Sequence, residues 1–476
     1  MCGISAIISY TYDKDLPYIL KDSLFNIQHR GQDSYGIVAI SNTNNLENAH
    51  NKGLINELNI IQYFYNTYNV ALGHVRYPTK GDNSLKNAQP FYKYSKNTHI
   101  LAHNGQVSLN KDIKDLNLFK KYYNSDISDS KLLLELLINQ FDNVNKDIND
   151  DQIKNALINI SNQLNGTYSC VYTILNVGTF AFKDIYGVKP LVVGHKDSRY
   201  LISSESISLK NLDFDIISDI MPGEVLFFPD KKPDKIRRFY YNNSYNNENI
   251  KDICRPCIFE WIYFAGVGST LYNVSVYQSR LKMGEYLANK IQRRFTQNAW
   301  DLSKIDYVVP VPETSKPGAL RVSEVLGIPY REAIIKSRYI NRTFIMDSQE
   351  KRLRNLKYKF NILDELIKDK NIIVIDDSIV RGNTLKTLIA NLKKAGANNI
   401  IIGSCAPEIK YINKYGIDIQ DENQLIANNR SNREITEYLG ATEVIYQDLG
   451  DLVRSVNSLN PTLTNFELSV FNNNYL

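Results

Sequence analysis

The first half of the chain, up to about residue 230, carries short apolar segments separated by turns. Many of them are rich in β-branched residues, which is typical of strands in packed sheets. They include GISAIISY, YGIVAI, NVALGHVRY, HILAHNG, SCVYTILNV, TFAFKDIYG, PLVVGHK and YLISSES. Two longer stretches, residues 16–28 and 129–140, have the spacing of apolar positions expected for helices. Many strands with few helices predict an α+β fold in which sheets pack on one another.

The pattern changes in the second half, where apolar strands alternate with helices. IDYVVPVP, KNIIVIDD and NNIIIGSC are continuous apolar runs of the kind that form fully buried strands. Residues 318–325 and 384–394 have helical spacing and lie between those runs. This alternation predicts an α/β domain with a parallel, doubly wound sheet. The Asn-rich stretch 242–252 is the best linker candidate, so we expect one domain over residues 2–245 and a second over 246–476.

The composition of the 476-residue chain fits a globular protein, with 43% hydrophobic and 22% charged residues. A net charge of +5 over this length is too small to indicate a nucleic-acid partner. No apolar run approaches the ~18 residues of a membrane span, so we expect no membrane partner. The N-terminus also lacks a basic region followed by an apolar stretch, so we expect no secretory signal.

The five cysteines are few and irregularly spaced, which favours a reducing cytoplasm. Cys254 and Cys257 form a C-x-x-C pair, a spacing also found in zinc and redox sites. A zinc site usually needs a second such pair or histidines nearby to complete four ligands. Because the chain has no second pair, we expect a structural role for these two residues.

The string IIVIDDSIVRGNT, residues 372–384, has the features of a phosphate site at the end of a strand. A buried strand ends in Asp376 and Asp377, a short loop with Gly382 follows, and a helix begins directly after it. Backbone N–H groups of such a loop bind anions together with the positive end of the helix. The two carboxylates suit ribose hydroxyls or hydrated Mg²⁺. The string indicates a ribose 5-phosphate ligand; the alternative is two acids that only end a strand and cap a helix.

The N-terminus reads MCGI, which places a cysteine next to the initiator methionine. If Met1 is removed, Cys2 carries a thiol and a free α-amino group on one residue. An α-amine has a pKa of about 7.7–8.0, and a terminal amine that acts as base for its own side chain is one way to activate a nucleophile. Cys2 is therefore a candidate nucleophile, although this motif alone is equally explained by a core cysteine placed there by chance.

The string 372–384 resembles the phosphoribosyl pyrophosphate (PRPP) motif of type I phosphoribosyltransferases. VPVPETSKPGAL is similar to that family's pyrophosphate loop, and KSRYINRTFI, which alone would indicate only a solvated basic loop, is similar to the loop that closes over PRPP. The resemblance implies Mg²⁺ near Thr314, Asp376 and Asp377. It implies PRPP contacts from Ser315, Lys336, Asp376, Asp377, Ser378, Ile379, Val380, Arg381, Gly382, Asn383 and Thr384.

Four strings of the first half, QHRGQDSYG, GHVRYPTKG, NAQPF and LAHNG, resemble the class II glutamine amidotransferase domain. In that family an N-terminal cysteine attacks the side-chain amide of glutamine. The resemblance implies catalytic roles for Cys2 and for the oxyanion-binding donors of Asn104 and Gly105. Guanidinium groups suit the carboxylate of glutamine and a carboxylate suits its ammonium group. The implied glutamine-binding residues are Arg30, Arg76, Thr79 and Asp129.

Each of these residues alone has an ordinary alternative. An arginine can form a surface ion pair, Asn-Gly can form a turn, and Asp129 can cap a helix. His29, His74 and His103 also leave a Cys–His dyad open as the source of the base. The terminal amine already supplies that base, so we favour the assignment without a dyad.

Together the two halves resemble glutamine PRPP amidotransferases over nearly the whole chain. The implied fold is an α+β N-terminal nucleophile hydrolase sandwich (αββα) followed by an α/β type I phosphoribosyltransferase domain with a parallel sheet. The implied reaction converts glutamine and PRPP to 5-phosphoribosylamine, glutamate and pyrophosphate, the first committed step of purine biosynthesis. The resemblance also implies Mg²⁺ as cofactor, purine nucleotides as feedback inhibitors, a homo-oligomer (tetramer or dimer) and a cytoplasmic location.

Two departures from the family pattern bear on these expectations. The segment FAGVGS, residues 264–269, replaces the usual FARPDS, which affects the expected domain interface. One branch of the family holds an iron–sulfur cluster on four cysteines. Only Cys257 is retained here and Asn413 stands at another ligand position, so we expect no iron–sulfur cluster.

Three other functions remain as alternatives. Another glutamine-dependent enzyme would have no need of the PRPP motif, and a salvage phosphoribosyltransferase would have no need of the glutaminase half. A non-catalytic relative that binds PRPP or nucleotides is the third. The changed segment at residues 264–269 keeps that last alternative open.

Overall fold

The computed structural model describes residues 2–55, 62–77, 84–110, 128–144, 146–242, 250–337 and 360–476. The first half consists mainly of strands, as the short apolar segments predict. These strands are β1 (Gly3–Asp13), β2 (Ser34–Ser41), β3 (Leu46–Lys52), β4 (Tyr68–Arg76), β5 (Phe91–Tyr94), β6 (Thr98–Leu109), β7 (Leu164–Ile174), β8 (Gly178–Lys183), β9 (Val192–Lys196), β10 (Arg199–Ser203), β11 (Asp215–Asp219), β12 (Glu224–Pro229) and β13 (Arg237–Tyr240). The helices are α1 (Leu16–Asn26), α2 (Asp129–Phe141), α3 (Asp150–Gln163) and α4 (Ser206–Asn211).

The strands form two antiparallel sheets, with the orders β11-β9-β10-β1-β4-β2-β3 and β13-β12-β8-β7-β6-β5. Side chains alternate between the two faces of each sheet because successive residues of a strand point in opposite directions. In β1, Ile4 and Ala6 pack against the second sheet, while Ile7 packs with Leu20 of α1. Helices α2 and α3 cover the outer face of the second sheet. The result is the αββα sandwich expected for N-terminal nucleophile hydrolases.

The second half contains a parallel sheet, as the alternating strands and helices predict. Its strands are β14 (Thr270–Leu271), β15 (Val274–Ser275), β16 (Tyr307–Pro310), β17 (Ile334–Lys336), β18 (Phe360–Ile362), β19 (Asn371–Asp376), β20 (Asn399–Ser404) and β21 (Glu443–Tyr446). Its helices are α5 (Ile250–Ile253), α6 (Val276–Gln297), α7 (Lys316–Leu326), α8 (Asp364–Ile367), α9 (Asn383–Lys394), α10 (Asn432–Leu439), α11 (Leu449–Asn457) and α12 (Ser469–Asn472), with a π-helical turn at Glu260–Phe264.

The parallel sheet has the order β16-β19-β20-β21 and is covered on both faces. Ile373 of β19 packs with α6, whereas Val374 packs with α9 on the opposite face. The α/β prediction is therefore confirmed. The predicted division near residue 245 lies in 243–249, outside the described residues, and stays a prediction. None of the helices in the described ranges is long and apolar enough to cross a membrane.

Candidate active sites

Cys2 lies directly before β1, and the two sheets bring other predicted residues to it. Its backbone nitrogen donates to Oδ1 of Asn104 on β6 at 3.2 Å. Its carbonyl oxygen accepts from Nε of Arg30 at 3.0 Å, and its thiol donates to the carbonyl oxygen of Tyr77 at 3.5 Å. Among the described residues, no histidine contacts the thiol, so the structure gives no support to a Cys–His dyad. The nucleophile candidate is thus positioned by contacts from three separate segments.

Asn104 and Gly105 present donor groups beside Cys2. Asn104 is 1% exposed, and its Nδ2 has no hydrogen-bond partner in the described part of the chain. Leaving a buried amide donor unpaired costs about 1–3 kcal/mol. At Gly105, φ is 156° and a Cβ atom would lie 2.1 Å from the carbonyl oxygen of Thr167, so only glycine fits. A buried donor that is kept unpaired at this cost suits a negative charge that develops on a bound substrate.

Further polar atoms without partners lie on the adjacent strand pair. Gln106 is opposite Thr167 in the register of β6 and β7. Oε1 of Gln106 and Oγ1 of Thr167 are both buried and have no hydrogen-bond partner among the described residues. Because native proteins pair nearly all buried polar groups, this concentration points to a polar ligand rather than to a packed core.

Arg76 and Asp129, two of the three charged residues predicted to bind glutamine, are both nearly buried. Arg76 is the last residue of β4 and is 6% exposed. The residue before it, Val75, is opposite Gly3 of β1 in the sheet. Asp129 begins α2 and is 8% exposed; its Oδ2 accepts from the N–H of Val107 at 3.3 Å. Val107 and Asn104 both lie on β6, three residues apart. This strand thus links Asp129 to Asn104. Thr79 lies outside the described residues.

Sequence reasoning missed two residues that orient this region. Gln89 accepts from the N–H of His103 at 2.8 Å, and its Nε2 donates to Oγ of Ser130 at 3.0 Å. The Ser130 hydroxyl also forms a hydrogen bond of 2.8 Å with Nδ1 of His103. Burial lowers the pKa of His103 and keeps the ring neutral. Gln89 lies in the matched string NAQPF and Ser130 directly follows the predicted residue Asp129, so the sequence did contain a signal for both.

Arg30, the third charged residue predicted to bind glutamine, is surrounded by carboxylates. It is 1% exposed and lies in a buried ion-pair network between the two halves. Its Nη1 lies 2.6 Å from Glu205 and 2.9 Å from Glu260, and its Nη2 lies 2.8 Å from Glu260. These bonds, with the one to Cys2, use most of its donors. Its role as a glutamine ligand stays a prediction, and the contacts that the structure shows suit a residue that positions Cys2.

The changed segment at residues 264–269 contacts this same network. Glu205 accepts from the N–H of Gly266 at 2.8 Å and from the hydroxyl of Ser269 at 2.7 Å. Burial by itself would raise the pKa of Glu205, but His29 and Arg30 outweigh it and hold that pKa well below its ordinary value. The carboxylate therefore stays ionised and ties the segment to the glutaminase half, without the arginine and aspartate of the usual pattern.

Replacing Arg30 with methionine should lower the free energy of unfolding by about 3–5 kcal/mol, because it leaves two buried carboxylates without their cation. Chemical denaturation monitored by circular dichroism measures this difference. The matched control is Arg321→Met, since Arg321 pairs with Glu285 and Glu324 at the surface. Such pairs contribute about 0–1 kcal/mol. Equal losses in the two variants would contradict the importance of the buried network.

His74 should make the folded protein less stable in acid. Burial and the Arg76 cation lower its pKa to about 3, whereas an unfolded histidine titrates near ~6.5. Below about pH 6.5 the unfolded chain binds the proton and the folded chain does not, so the free energy of unfolding falls as the pH drops toward 3. Other buried groups titrate in the same window; burial raises the pKa of Asp219 to about 6, for example.

A single variant isolates the contribution of His74. In the wild type, Nε2 of His74 donates to the carbonyl oxygen of His103 at 3.2 Å. His74→Gln keeps an amide donor for that oxygen. Urea titrations at pH 7.5 and 5.0 should show a smaller loss of stability on acidification in this variant than in the wild type. If the two proteins lose the same free energy, His74 is not the neutral buried group that the structure indicates.

The second candidate site lies at the carboxyl ends of β16 and β19. Asp376 ends β19, and its Oδ1 accepts from the N–H of Asp377 at 2.9 Å. Asp377 accepts from the hydroxyls of Thr314 at 2.6 Å and Ser378 at 2.7 Å. Because β16 and β19 are adjacent and parallel, Thr314 meets Asp377 across 63 positions of sequence. The three residues predicted for the metal environment are therefore together.

The loop that follows these acids ends in an open helix N-terminus. Gly382 precedes α9 with φ of 74°, a left-handed conformation that favours glycine, and a Cβ atom there would lie 2.5 Å from Cδ1 of Ile426. As a glycine, it offers no side chain to cap the first N–H groups of α9. Those groups and the positive end of the helix remain available to an anion. Asn383 is exposed and Thr384 is half-buried in this first turn.

The remaining residues predicted for PRPP differ in how they can contribute. Ser315 is 2% exposed and its hydroxyl donates to the carbonyl oxygen of Val311 at 2.6 Å, so it fixes the loop. Ile379 is buried in the core, which leaves only its backbone for a ligand. Arg381 lies 3.9 Å from Asp418. Lys336 is exposed at the end of β17, and the predicted basic loop from residue 338 onward lies outside the described residues.

The structure assigns the other cysteines to the core. All five are free, and Cys170, Cys254, Cys257 and Cys405 are buried. Burial raises the pKa of the Cys254 thiol to about 11 and that of the Cys257 thiol to about 12, which makes both unreactive. In the described part of the chain, no group of three or more His, Cys, Asp and Glu side chains converges as a metal site. The structural role expected for the C-x-x-C pair fits these observations.

Comparison with known proteins matches both halves of the chain. A glutamine amidotransferase domain matches residues 74–211, and a phosphoribosyl transferase domain matches residues 282–416. Amidophosphoribosyltransferase of Haemophilus influenzae is 37% identical over 486 residues, which cover 100% of this chain and 93% of the relative. The enzyme of the same name from Escherichia coli is 37% identical over 484 residues, with coverages of 100% and 92%.

Solved structures agree with these relatives. Glutamine PRPP amidotransferase from B. subtilis, complexed with ADP and GMP, matches with a TM-score of 0.81 and 26% identity, and the match covers 100% of this chain and 97% of that chain. Both halves of this fold and both candidate sites lie within the matched length. The chain therefore belongs to the amidophosphoribosyltransferases, enzymes that form 5-phosphoribosylamine from glutamine and PRPP in the first step of purine biosynthesis.

Proposed function

We propose that Cys2, with its free amine after methionine removal, is the nucleophile that releases ammonia from glutamine. The amine takes the thiol proton, and the sulfur attacks the side-chain amide carbon. The negative charge on the amide oxygen is stabilised by Nδ2 of Asn104 and the N–H of Gly105. The amine returns the proton to the departing ammonia, and water then cleaves the thioester to give glutamate. Arg76, Thr79 and Asp129 hold the head group of glutamine.

One observation carries this proposal: Asn104 uses its oxygen for the Cys2 nitrogen and leaves its buried amide hydrogens without a partner. Asn104→Ala should therefore lower kcat for glutamine hydrolysis by about 10²–10³-fold, with a smaller change in KM. A coupled glutamate assay measures both constants. The matched control is Asn423→Ala, because Asn423 lies in an exposed surface turn. An Asn104 variant with unchanged kcat would exclude this oxyanion site.

We propose that PRPP binds at the carboxyl ends of β16 and β19. Its 5-phosphate accepts hydrogen bonds from the backbone of residues 378–384, where Gly382 allows close approach. Its ribose hydroxyls donate to Asp376 and Asp377, and the ammonium group of Lys336 binds the pyrophosphate. Glutamine-derived ammonia attacks C1 of the ribose, the bond to pyrophosphate breaks, and 5-phosphoribosylamine forms.

The donor set of this site fits Mg²⁺. Mg²⁺ prefers oxygen ligands and usually binds through one or two carboxylates plus substrate phosphates and waters. Asp376 and Asp377 provide those carboxylates, and the Thr314 hydroxyl already lies against Asp377. When bound, Mg²⁺ neutralises charge on the pyrophosphate leaving group. No iron–sulfur cluster is part of the proposal.

Ammonia must pass between the two sites without meeting bulk water, because the protonated form is not a nucleophile. We propose that it travels inside the protein, which keeps it as the free base and raises its effective concentration. The Arg30–Glu260 pair supports this route, since it joins the Cys2 backbone to the π-helical turn near the start of the second half. Little exchange of ¹⁵N-labelled ammonium into the product during glutamine turnover would support confinement.

Three further properties belong to the same proposal. Purine nucleotides act as feedback inhibitors, which kinetic assays with the pathway's end products test. The protein forms a homo-oligomer, a tetramer or dimer, which light scattering tests. It acts in the cytoplasm, a location that suits five free cysteines.

A further inference from the structure

A loop of the second half lies directly against the oxyanion-binding part of the glutaminase half. Its central residue, Gly416, is buried. A Cβ atom on Gly416 would lie 3.1 Å from the carbonyl oxygen and 3.2 Å from the carbonyl carbon of Gly105. Both distances are shorter than an ordinary contact between non-bonded atoms. The two halves of the chain therefore meet at the glycine whose N–H is proposed to stabilise the oxyanion.

Gly105 is confined on a second side as well. A Cβ atom on Gly105 would lie 2.1 Å from the carbonyl oxygen of Thr167 on β7. The pairing of β6 with β7 places Gly105 opposite Tyr168, which is 2% exposed. With β7 on one side and Gly416 on another, the position of Gly105 depends on both halves of the chain.

One buried side chain holds the conformation of the loop. Asn413 is 3% exposed, and its Oδ1 accepts from the N–H groups of Tyr415 and Ile417, each at 2.9 Å. These two residues are the neighbours of Gly416 on either side, and both are buried in the hydrophobic core. The N–H of Asn413 donates to the carbonyl oxygen of Ile419 at 2.7 Å. The loop is therefore a rigid support for Gly105, since close-packed interiors transmit strain.

A side chain at position 416 would move Gly105. The value of φ at Gly416 is 93°, which residues with a Cβ atom rarely adopt. Because Asn413 holds the residues on both sides, much of the displacement falls on the carbonyl group of Gly105. The N–H of Gly105 belongs to the same residue and shifts with that group. Groups that act on a reacting atom must stay within about 0.5 Å of their productive position, so a small shift matters.

We propose that Gly416 is a positioning residue for glutamine hydrolysis, which sets the place of the Gly105 N–H in the oxyanion site. This inference rests on the role proposed above for Gly105. The second half of the chain then contributes to the reaction of the first half through a packing contact between two glycines.

Gly416→Ala tests the proposal through the two activities of the enzyme. Its kcat for glutamine hydrolysis should fall about tenfold, since a misplacement of ~1 Å costs about 10²-fold and the added methyl group requires a smaller shift. Its KM for glutamine should stay nearly unchanged, because Arg76 and Asp129 keep their places. Synthesis of 5-phosphoribosylamine from an ammonium salt at saturating PRPP should equal that of the wild type.

The matched control is Gly396→Ala. Gly396 also has φ of 93°, and a Cβ atom there would lie 3.3 Å from Cγ of Lys368. The control therefore introduces the same backbone strain and a similarly close contact in the second half, away from Gly105. It should lower the melting temperature about as much as Gly416→Ala, and keep the ratio of glutamine-dependent to ammonium-dependent activity.

Loss of kcat with glutamine alone, in Gly416→Ala and not in Gly396→Ala, would support the proposal. A wild-type kcat with glutamine in Gly416→Ala would overturn it. Equal losses of both activities would also overturn it, because the loop would then only stabilise the fold. Asn104→Ala in the same assay separates the two levels of inference. If it alone lowered kcat, the oxyanion site would stand without Gly416, and if neither variant changed kcat, the oxyanion site and this inference would both be wrong.

Discussion

Cys2→Ala should abolish formation of 5-phosphoribosylamine from glutamine and leave the reaction with added ammonium salts intact. The substitution removes the only atom that attacks glutamine in the proposed mechanism, while the PRPP site lies on other strands. Loss of a nucleophile that works with its own base costs about 10⁴–10⁶-fold in kcat. Pyrophosphate release, followed with glutamine and then with an ammonium salt as nitrogen source, measures both activities on one preparation.

The matched control is Cys170→Ala, which removes a thiol from the core of the second sheet. It should lower stability and keep the ratio of glutamine-dependent to ammonium-dependent activity. Intact-mass measurement of the wild type must show that Met1 is absent from the active protein. A Cys2→Ala protein that still hydrolyses glutamine, or an active enzyme that retains Met1, would contradict the assignment of the nucleophile.

The folds of both halves could be predicted because their strands carry local signals. Short, β-branched apolar runs such as KNIIVIDD favour a strand buried on both faces, and β19 is such a strand. Helix α6 was not predicted, although Met283, Leu287, Ile291 and Phe295 repeat every four positions and are all buried. Its many charged residues lower the mean hydropathy of the segment, but the periodicity was sufficient to find it.

The sequence was sufficient to predict which residues lie around Cys2. It was not sufficient to predict all the contacts that those residues make. Asn104 and Gly105 are adjacent in sequence, and the structure brings Asn104 to the Cys2 nitrogen. The role of Arg30 could not be derived locally, because Glu205 and Glu260 lie 175 and 230 positions away in sequence. An arginine between histidine and glycine gives no indication of whether it will meet a ligand or a buried carboxylate.

The PRPP site was the most predictable part of the chain, since a strand, a loop and a helix N-terminus are consecutive in sequence. To predict the contact between Thr314 and Asp377, one must also know that β16 pairs with β19 in parallel. The structure adds that Ser315 and Ile379 turn their side chains into the protein. Only their backbones can face PRPP, which a motif comparison does not reveal.

Asp377→Asn should lower kcat/KM for PRPP by about 10²–10³-fold with glutamine and with ammonium alike, because removing one preorganised electrostatic group costs about that much. The substitution preserves the shape of the side chain and removes its charge. The hydroxyls of Thr314 and Ser378 both donate to this carboxylate, and an amide offers them one acceptor oxygen instead of two. Steady-state assays at varied PRPP and Mg²⁺ measure the effect.

Labelling of Cys2 separates a local defect at the PRPP site from misfolding. A glutamine analogue that alkylates the nucleophile should still react with Asp377→Asn, since the glutaminase residues lie on other strands. Glu365→Gln, an equal change of charge at an exposed position of α8, is the matched control and should keep full activity. If Asp377→Asn lost activity only with glutamine, the carboxylate would act in communication between the two sites rather than in binding PRPP. The proposed assignment of PRPP binding to this carboxylate would then be wrong.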